Sequence, residues 1–322
     1  MKQKSLTIVV LVILGVIIAV ILVDFANNRP DRRGENPYAL DIDQYKEVDQ
    51  DLISHTETRN FSLGLLNPTG MYFYNDKLYV TGESSLVIIS LDGSNSGMFE
   101  ILPRSTSILV NDDYILIADS SHVVKYDHSG AVMQEWPDMG ERTRVTSMAM
   151  NEDRIYVADA GNRRVVIFNT EGQKLGEFEG KAETEAGSGF IVPSPNFDLV
   201  VNSFGELWVV NPGKHALENY SDDGRMRGFW EHMSSDIEGF LGCCNPARIT
   251  VMDDGSFVTS EKGIVRIKIY DQSGKLLSVV APPDLFEEEG LAPDVCVDLN
   301  RNVYALDFDR DMVRIFEPKS DG

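Results

Sequence analysis

Short apolar runs rich in β-branched and aromatic residues punctuate this chain, each closed by a small or acidic residue: LYVTG (78–82), ILIAD (115–119), IYVAD (155–159), LWVVN (207–211), SFVTS (256–260) and VYALD (303–307). Runs of this length and composition predict strands, and helical periodicity is nearly absent beyond the first thirty residues. The run ends are spaced by 37, 40, 52, 49 and 47 residues, a mean of 45. That period is the length of a four-stranded propeller blade. A turn glycine follows five of the six runs (Gly93, Gly130, Gly172, Gly224, Gly274), and a proline precedes the end of three by fourteen residues (Pro68, Pro246, Pro293). The pattern predicts an all-β, six-bladed propeller over residues 48–319.

The sixth unit is incomplete. After VRIFEPK (313–319) only a three-residue tail (320–322) remains, so its fourth strand must come from elsewhere. The segment LISHTETRNFSL (52–63), just before the first unit, is expected to complete it and remove an open sheet edge.

The first segment follows a different pattern. Leu6–Val23 holds eighteen residues without a charge, preceded by Lys2 and Lys4. At about 1.5 Å per residue it reaches roughly 27 Å, the short end for a membrane-spanning helix. VDFANN offers no small-x-small cleavage pattern, and no cysteine lies near the run to carry a lipid. The expectation is therefore an uncleaved transmembrane signal anchor (6–23) behind a short cytoplasmic N-terminus (1–5), with a cleaved signal peptide as the alternative. Arg29, Arg32 and Arg33 nearly balance the charges on the other side, and the short N-terminus favours an extracytoplasmic propeller, in the bacterial periplasm or at the cell surface. Residues 24–47, polar with Pro and Asn, read as a stalk.

Outside Lys2 and Lys4 the chain has 27 basic residues against 51 acidic ones, a formal charge of −24. Such a surface repels nucleic acid, which is excluded as a partner, and is compatible with cationic partners or a plain solvated face.

DRIYVADAGNRRVVIFNTEGQKLGEFEG (153–180) resembles an NHL repeat, through Asp159, Asn162, Arg164 and the turn Gly172. VYALDFDRDMVRIFEP aligns with it without gaps, with Arg310 in place of the Asn. GCCNP followed by TSEKG is also similar to a group of exported bacterial NHL-repeat proteins of uncharacterised role. The resemblance implies a six-bladed propeller, a fold that hosts binding platforms and unrelated enzymes alike. Asp159, Asn162, Arg164 and Asp307 recur at equivalent positions and read as strand-end ties rather than catalytic groups.

Candidate chemistry centres on three cysteines. The proline register puts Cys243 and Cys244 into the first strand of the fifth unit and Cys296 into that of the sixth, near the propeller axis. Four roles stand open: a vicinal disulfide, a bridge to Cys296 between blades, a soft-metal or redox thiol site, and buried thiols that only pack. Zinc is disfavoured because there is no CxxC and no nearby histidine. Asn245 and Glu261 lie beside the pair as further ligand or redox candidates. For a hard cation such as calcium, Asn245, Glu261, Asp294 and Asp298 are the only candidates, and strand alternation would turn Asp294, Cys296 and Asp298 to one face. No catalytic residue is assigned: His55, His122, His128, His215 and His232 are scattered, and no GxSxG occurs. No cofactor is assigned either.

The expected function is a membrane-anchored binding scaffold, within a redox or envelope assembly, rather than an enzyme. A protein partner would meet a rim enlarged by insertions at 180–196 and 228–244, the latter carrying Phe229, Trp230, Phe240 and Leu241. The alternative is redox, soft-metal or calcium-dependent hydrolase or lyase chemistry in the channel.

Overall fold

Each of the six apolar runs supplies the second strand of an antiparallel sheet, because the turns on either side of it fold its neighbours back against both edges. The computed structural model describes residues 2–27, 43–65, 67–181 and 189–320, and among these are six four-stranded sheets. Their first strands are Gly70–Tyr74, Ser107–Val110, Val145–Asn151, Leu199–Val201, Arg248–Val251 and Asp294–Val297, defining blades 1 to 6. Each first strand touches the first strands of the blades on either side, so the six form the inner ring of a propeller.

The ring closes as the missing strand requires. His55–Ser62 pairs antiparallel with Met312–Pro318 and becomes the outer strand of blade 6, with His55 opposite Pro318 and Ser62 opposite Met312. The N-terminal end of the propeller unit is thus held by the last strand of the chain.

Among the described residues, apolar packing runs between blades, in six clusters. One joins Leu78, Val80 and Val87 of blade 1 to Tyr304, Leu306 and Val313 of blade 6, and another joins Tyr156 and Val165 of blade 3 to Leu207 and Val209 of blade 4. A second contact repeats round the outside and accounts for the turn glycines. Each packs on an aromatic ring from the outer strand of the preceding blade, or from just beyond it: Gly93 on Phe61, Gly130 on Phe99, Gly172 on Trp136, Gly224 on Phe178 and Gly274 on Trp230. At Gly224 the φ is +82° and an added Cβ would stand 2.5 Å from the Phe178 ring, so both backbone and space demand glycine.

The propeller unit is Asp43–Gly322, and helix α1 (Lys2–Asn27) belongs to a separate unit, Met1–Ile42. The side chains of α1 are described for residues 12–24. Among the described residues no helix is long and apolar enough to cross a membrane, so the expected span over 6–23 is not found there. The helix also runs into the expected stalk as far as Asn27, and Asp43–Tyr45 form a 3-10 turn at its other end. Residues 28–42, with Arg29, Arg32 and Arg33, lie outside the described residues, as do 182–188 of the first insertion and 321–322 of the tail.

Candidate functional site

One position of the inner strands can be followed round the ring. Gly70 lies opposite Thr81, Ser107 opposite Ala118, Ser147 opposite Ala158, Arg248 opposite Ser260 and Asp294 opposite Leu306, while the Asp198 carbonyl accepts from Val210 N. Blades 1 to 3 therefore present Gly, Ser and Ser at this level, and blades 4 to 6 present Asp, Arg and Asp. Small side chains on one half and charged ones on the other leave a channel cavity of about 260 Å³ that all six residues line.

The two carboxylates join neighbouring blades. Ile249 N donates to Asp198 Oδ2 at 2.8 Å, and Met71 N donates to Asp294 Oδ2 at 2.8 Å. Their other oxygens accept from Leu199 N (2.9 Å) and Val295 N (3.1 Å). Burial pushes the Asp198 carboxyl up to about 6, with the nearby Asp294 charge adding to the shift and the Arg248 guanidinium opposing it. Burial also raises Asp294, again against Arg248. Arg248 donates from Nη1 to the Thr146 carbonyl at 3.2 Å, its one hydrogen bond to protein among the described residues. The other edge of its guanidinium fork is available to a ligand.

Neither Asp198 nor Arg248 stood out in the sequence. The signal was there, since Arg248 and Asp294 open the first strands of their units and Asp198 immediately precedes its own, but the three lie some fifty residues apart and only ring closure brings them together.

Of the residues expected here, Asp294 and Cys296 do line the channel. Asp298 does not: it ends the strand, accepting from Asn300 N (2.9 Å), Asn302 N (2.9 Å) and the Tyr304 hydroxyl (3.0 Å). Burial drives the Cys296 thiol well above its ordinary range, with the Asp294 and Asp298 charges adding to the shift, which leaves it a packing group at neutral pH.

Cys243 and Cys244 lie elsewhere than the proline register indicated. They occupy the loop before blade 5, whose first strand starts only at Arg248, and neither lines the channel. The physical reason is Asn245. Its amide donates to the carbonyls of Leu241 (2.6 Å) and Lys262 (3.1 Å) and accepts from Lys262 N (3.0 Å), tying the segment into a turn instead of a ladder. Pro246, without an N–H, could not extend a ladder either. The three cysteines therefore do not converge. The pair itself is close, with free thiols and Sγ atoms 3.2 Å apart, Cys243 exposed and Cys244 buried.

Under this loop lies a fully buried charged cluster. Glu261 accepts from Arg266 Nε at Oε1 (3.1 Å) and Nη2 at Oε2 (2.8 Å), and Lys268 Nζ stands 2.8 Å from Oε1 as well. Lys268 also donates to the Gly239 (2.6 Å) and Ile237 (3.0 Å) carbonyls, which holds the loop down. Glu261 stands where Asp159 stands in blade 3, where Arg164 Nε donates to the Asp at 2.9 Å. Burial lowers the Lys268 ammonium to about 8 in spite of Glu261. Among the described residues no three His, Cys, Asp or Glu side chains are grouped to hold a metal ion.

The apolar residues of the second insertion divide. Phe229 and Trp230 belong to the outer strand of blade 4, Met226–Glu231, so the loop proper starts after them. Trp230 and Phe240 are buried and stack on each other, and Leu241 is partly buried. Phe229 is 60% exposed.

No known protein-family pattern matches the chain. Over 143 residues it is 28% identical to the Drosophila melanogaster protein brain tumor, a match covering 43% of this chain and 12% of the length of that relative. Among solved structures it is similar to a catalytically inactive virginiamycin B lyase from Staphylococcus aureus with quinupristin (TM-score 0.57, 13% identity, 80% of this chain and 83% of that one). It is also similar to a protein of unknown function from Bacteroides thetaiotaomicron (0.58, 15%, 81% and 72%) and to the Neurospora crassa Pan2 WD40 domain (0.56, 10%, 84% and 98%). At these identities the likeness establishes the propeller fold alone.

Proposed function

We propose that this chain is an NHL-type binding propeller, a scaffold without chemistry of its own, that takes a small dipolar ligand in its channel. The observation that carries this reading is Arg248, a guanidinium with one hydrogen bond to protein among the described residues, set on the ring between two carboxylates and facing three small residues. With both carboxylates ionised the Asp–Arg–Asp group carries a net negative charge. It suits a ligand whose acidic end meets the guanidinium fork and whose amino end meets Asp198 or Asp294.

A tether and a partner complete the proposal. The Leu6–Val23 run has no charge, and the described α1 side chains are exposed, Val12 and Val20 by 60 and 62%. These features support a helix that holds the propeller at the extracytoplasmic side of a membrane. Phe229 and Met233, the latter 74% exposed, supply apolar contacts for a protein partner at the rim beside blade 4.

The test uses the full chain in detergent micelles, titrated with single amino acids, simple amines and simple carboxylates while thermal unfolding is followed. A dipolar compound should raise the unfolding temperature of the wild type and leave Arg248→Ala unmoved. No response to any compound, or an equal response in Arg248→Ala, overturns the channel reading. Release of the wild-type chain from membranes by alkaline carbonate would overturn the tether.

A further inference from the structure

The paired thiols before blade 5 have a geometry that neither the fold nor the channel ligand uses. Two sulfurs 3.2 Å apart are well beyond bonding distance in a disulfide, roughly 2.05 Å. They are also on the same side of any atom they would share. A linear two-coordinate ion such as copper(I) needs its sulfurs on opposite sides, and the pair is too close for that. A soft centre of pyramidal geometry, with its two sulfurs near right angles, matches the separation.

Three features present the pair in this state. The loop is pinned on both flanks, by Asn245 to Leu241 and Lys262, and by His215 Nδ1 at 3.0 Å from the Asn245 carbonyl. Cys243 is exposed, so a reagent from solvent reaches it first, and Cys244 lies behind it as the second ligand. Burial raises the Cys244 thiol, yet the Cys243 thiol and the Lys262 ammonium help bring it below its ordinary range. Cys243 is raised in turn, chiefly through its contact with Cys244, so the two thiols titrate as a pair.

We infer that Cys243 and Cys244 form a chelating dithiol site for a soft trivalent centre of the arsenite class, held on the loop that precedes blade 5. With an organoarsenic(III) oxide the reaction balances without an oxidant. Two S–As bonds form, the two thiol protons and the arsenic-bound oxygen leave as one water, and arsenic stays trivalent. A third position on the arsenic faces solvent at the exposed Cys243 side.

The experiment treats the full, pre-reduced chain in detergent with one equivalent of phenylarsine oxide and reads the intact mass under native conditions. The expected product is one adduct per chain, with water lost and with two thiols protected from alkylation. Cys296→Ser should keep the adduct, and Cys243→Ser and Cys244→Ser should each lose it. Asn245→Ala should slow adduct formation several-fold by loosening the loop, and Lys262→Met should shift its rate profile to higher pH. Both variants leave the sulfurs in place. Adjacent cysteines in an unfolded chain would also react, so an adduct that forms only after denaturation overturns the inference. So does an adduct that survives in either single cysteine variant, or rates unchanged in both Asn245→Ala and Lys262→Met.

Discussion

Glu261 and Arg266 face each other through two hydrogen bonds, 2.8 and 3.1 Å, with no exposed surface on either side chain, at the five-residue spacing that Asp159 and Arg164 keep in blade 3. Blade 5 adds a second buried cation, Lys268, to the same carboxylate. Removing the carboxylate and removing the extra cation should therefore differ. Glu261→Ala leaves two buried positive charges without a counter-ion and should cost about 3–5 kcal/mol. Lys268→Met leaves Glu261 with Arg266 and mainly takes a donor from the Gly239 and Ile237 carbonyls, a loss of roughly 1–3 kcal/mol. Urea unfolding of both variants decides it, and a Glu261→Ala loss no greater than that of Lys268→Met would show that the two buried cations do not depend on the Glu261 carboxylate.

The same pair shows how much was legible in the sequence. The six runs, their spacing and the turn glycines were visible because each repeats for a local reason: a strand-end tie such as Asp159, or a glycine under the ring of the preceding blade. The closing strand was visible as a gap, since a blade with three strands needs a fourth. In the fifth unit the run SFVTS stops one residue short of the strand-end tie, so Glu261 read as a candidate ligand although it occupies the Asp159 position. Cys243 and Cys244 were misplaced because Asn245 sets the loop through side-chain hydrogen bonds that periodicity does not carry. The Asp198, Arg248 and Asp294 group was hidden for a further reason: its members meet only when six blades close into a ring.

Asp198 gives the propeller a pH dependence of definite sign. Its carboxyl holds its proton up to about 6 in the folded chain, against an ordinary value of 3.8, so the folded state binds the proton more tightly in that interval. Its contribution to stability falls as pH rises from about 4 to about 6 and levels off above. Asp198→Asn removes the titration and still offers one oxygen to Ile249 N or Leu199 N. The stability of wild type relative to Asp198→Asn should therefore rise by roughly 2–3 kcal/mol between pH 7 and pH 4, since the folded state binds this proton about a hundredfold more tightly and each factor of ten is worth about 1.4 kcal/mol. Urea unfolding of both proteins across that range reads it, and a difference that stays constant with pH would mean that Asp198 is ionised throughout.

The glycine and aromatic contact between blades predicts a sharp contrast. At Gly224 an alanine meets both a left-handed backbone and the Phe178 ring at 2.5 Å. The two costs, about 1 kcal/mol for the backbone and about 1–3 kcal/mol for overpacking, should lower stability by roughly 2–4 kcal/mol. Gly97 sits in an outer strand, and its added Cβ would stand 3.6 Å from Ile88 Cδ1, an ordinary contact. Gly97→Ala should change stability by no more than about 0.5 kcal/mol. Calorimetry on the two variants tests whether the repeated contact, rather than glycine in general, spaces the blades.

Closure of the ring is the prediction with the largest expected effect. His55–Ser62 covers the full edge of Met312–Pro318, and Glu57 adds an ion pair with Arg314, which in turn donates to Asp307 Oδ2 at 3.2 Å. A chain starting at Asp43 keeps all of this, because the propeller unit begins there. A chain starting at Leu63 loses the outer strand of blade 6 and the Phe61 ring that Gly93 packs against, and leaves an open edge beside the buried Val313, Ile315 and Phe316. An uncovered edge of that kind pairs with other chains. In size-exclusion chromatography with light scattering, the 43–322 chain should elute at a single mass without aggregate, and the 63–322 chain should aggregate or form mixed oligomers. Glu57→Ala separates strand from ion pair: it keeps the ladder and should remain at the mass of the 43–322 chain with a lower unfolding temperature. A 63–322 chain that stays monomeric and unfolds in one cooperative step would mean that contacts between blades hold the ring closed without its final strand.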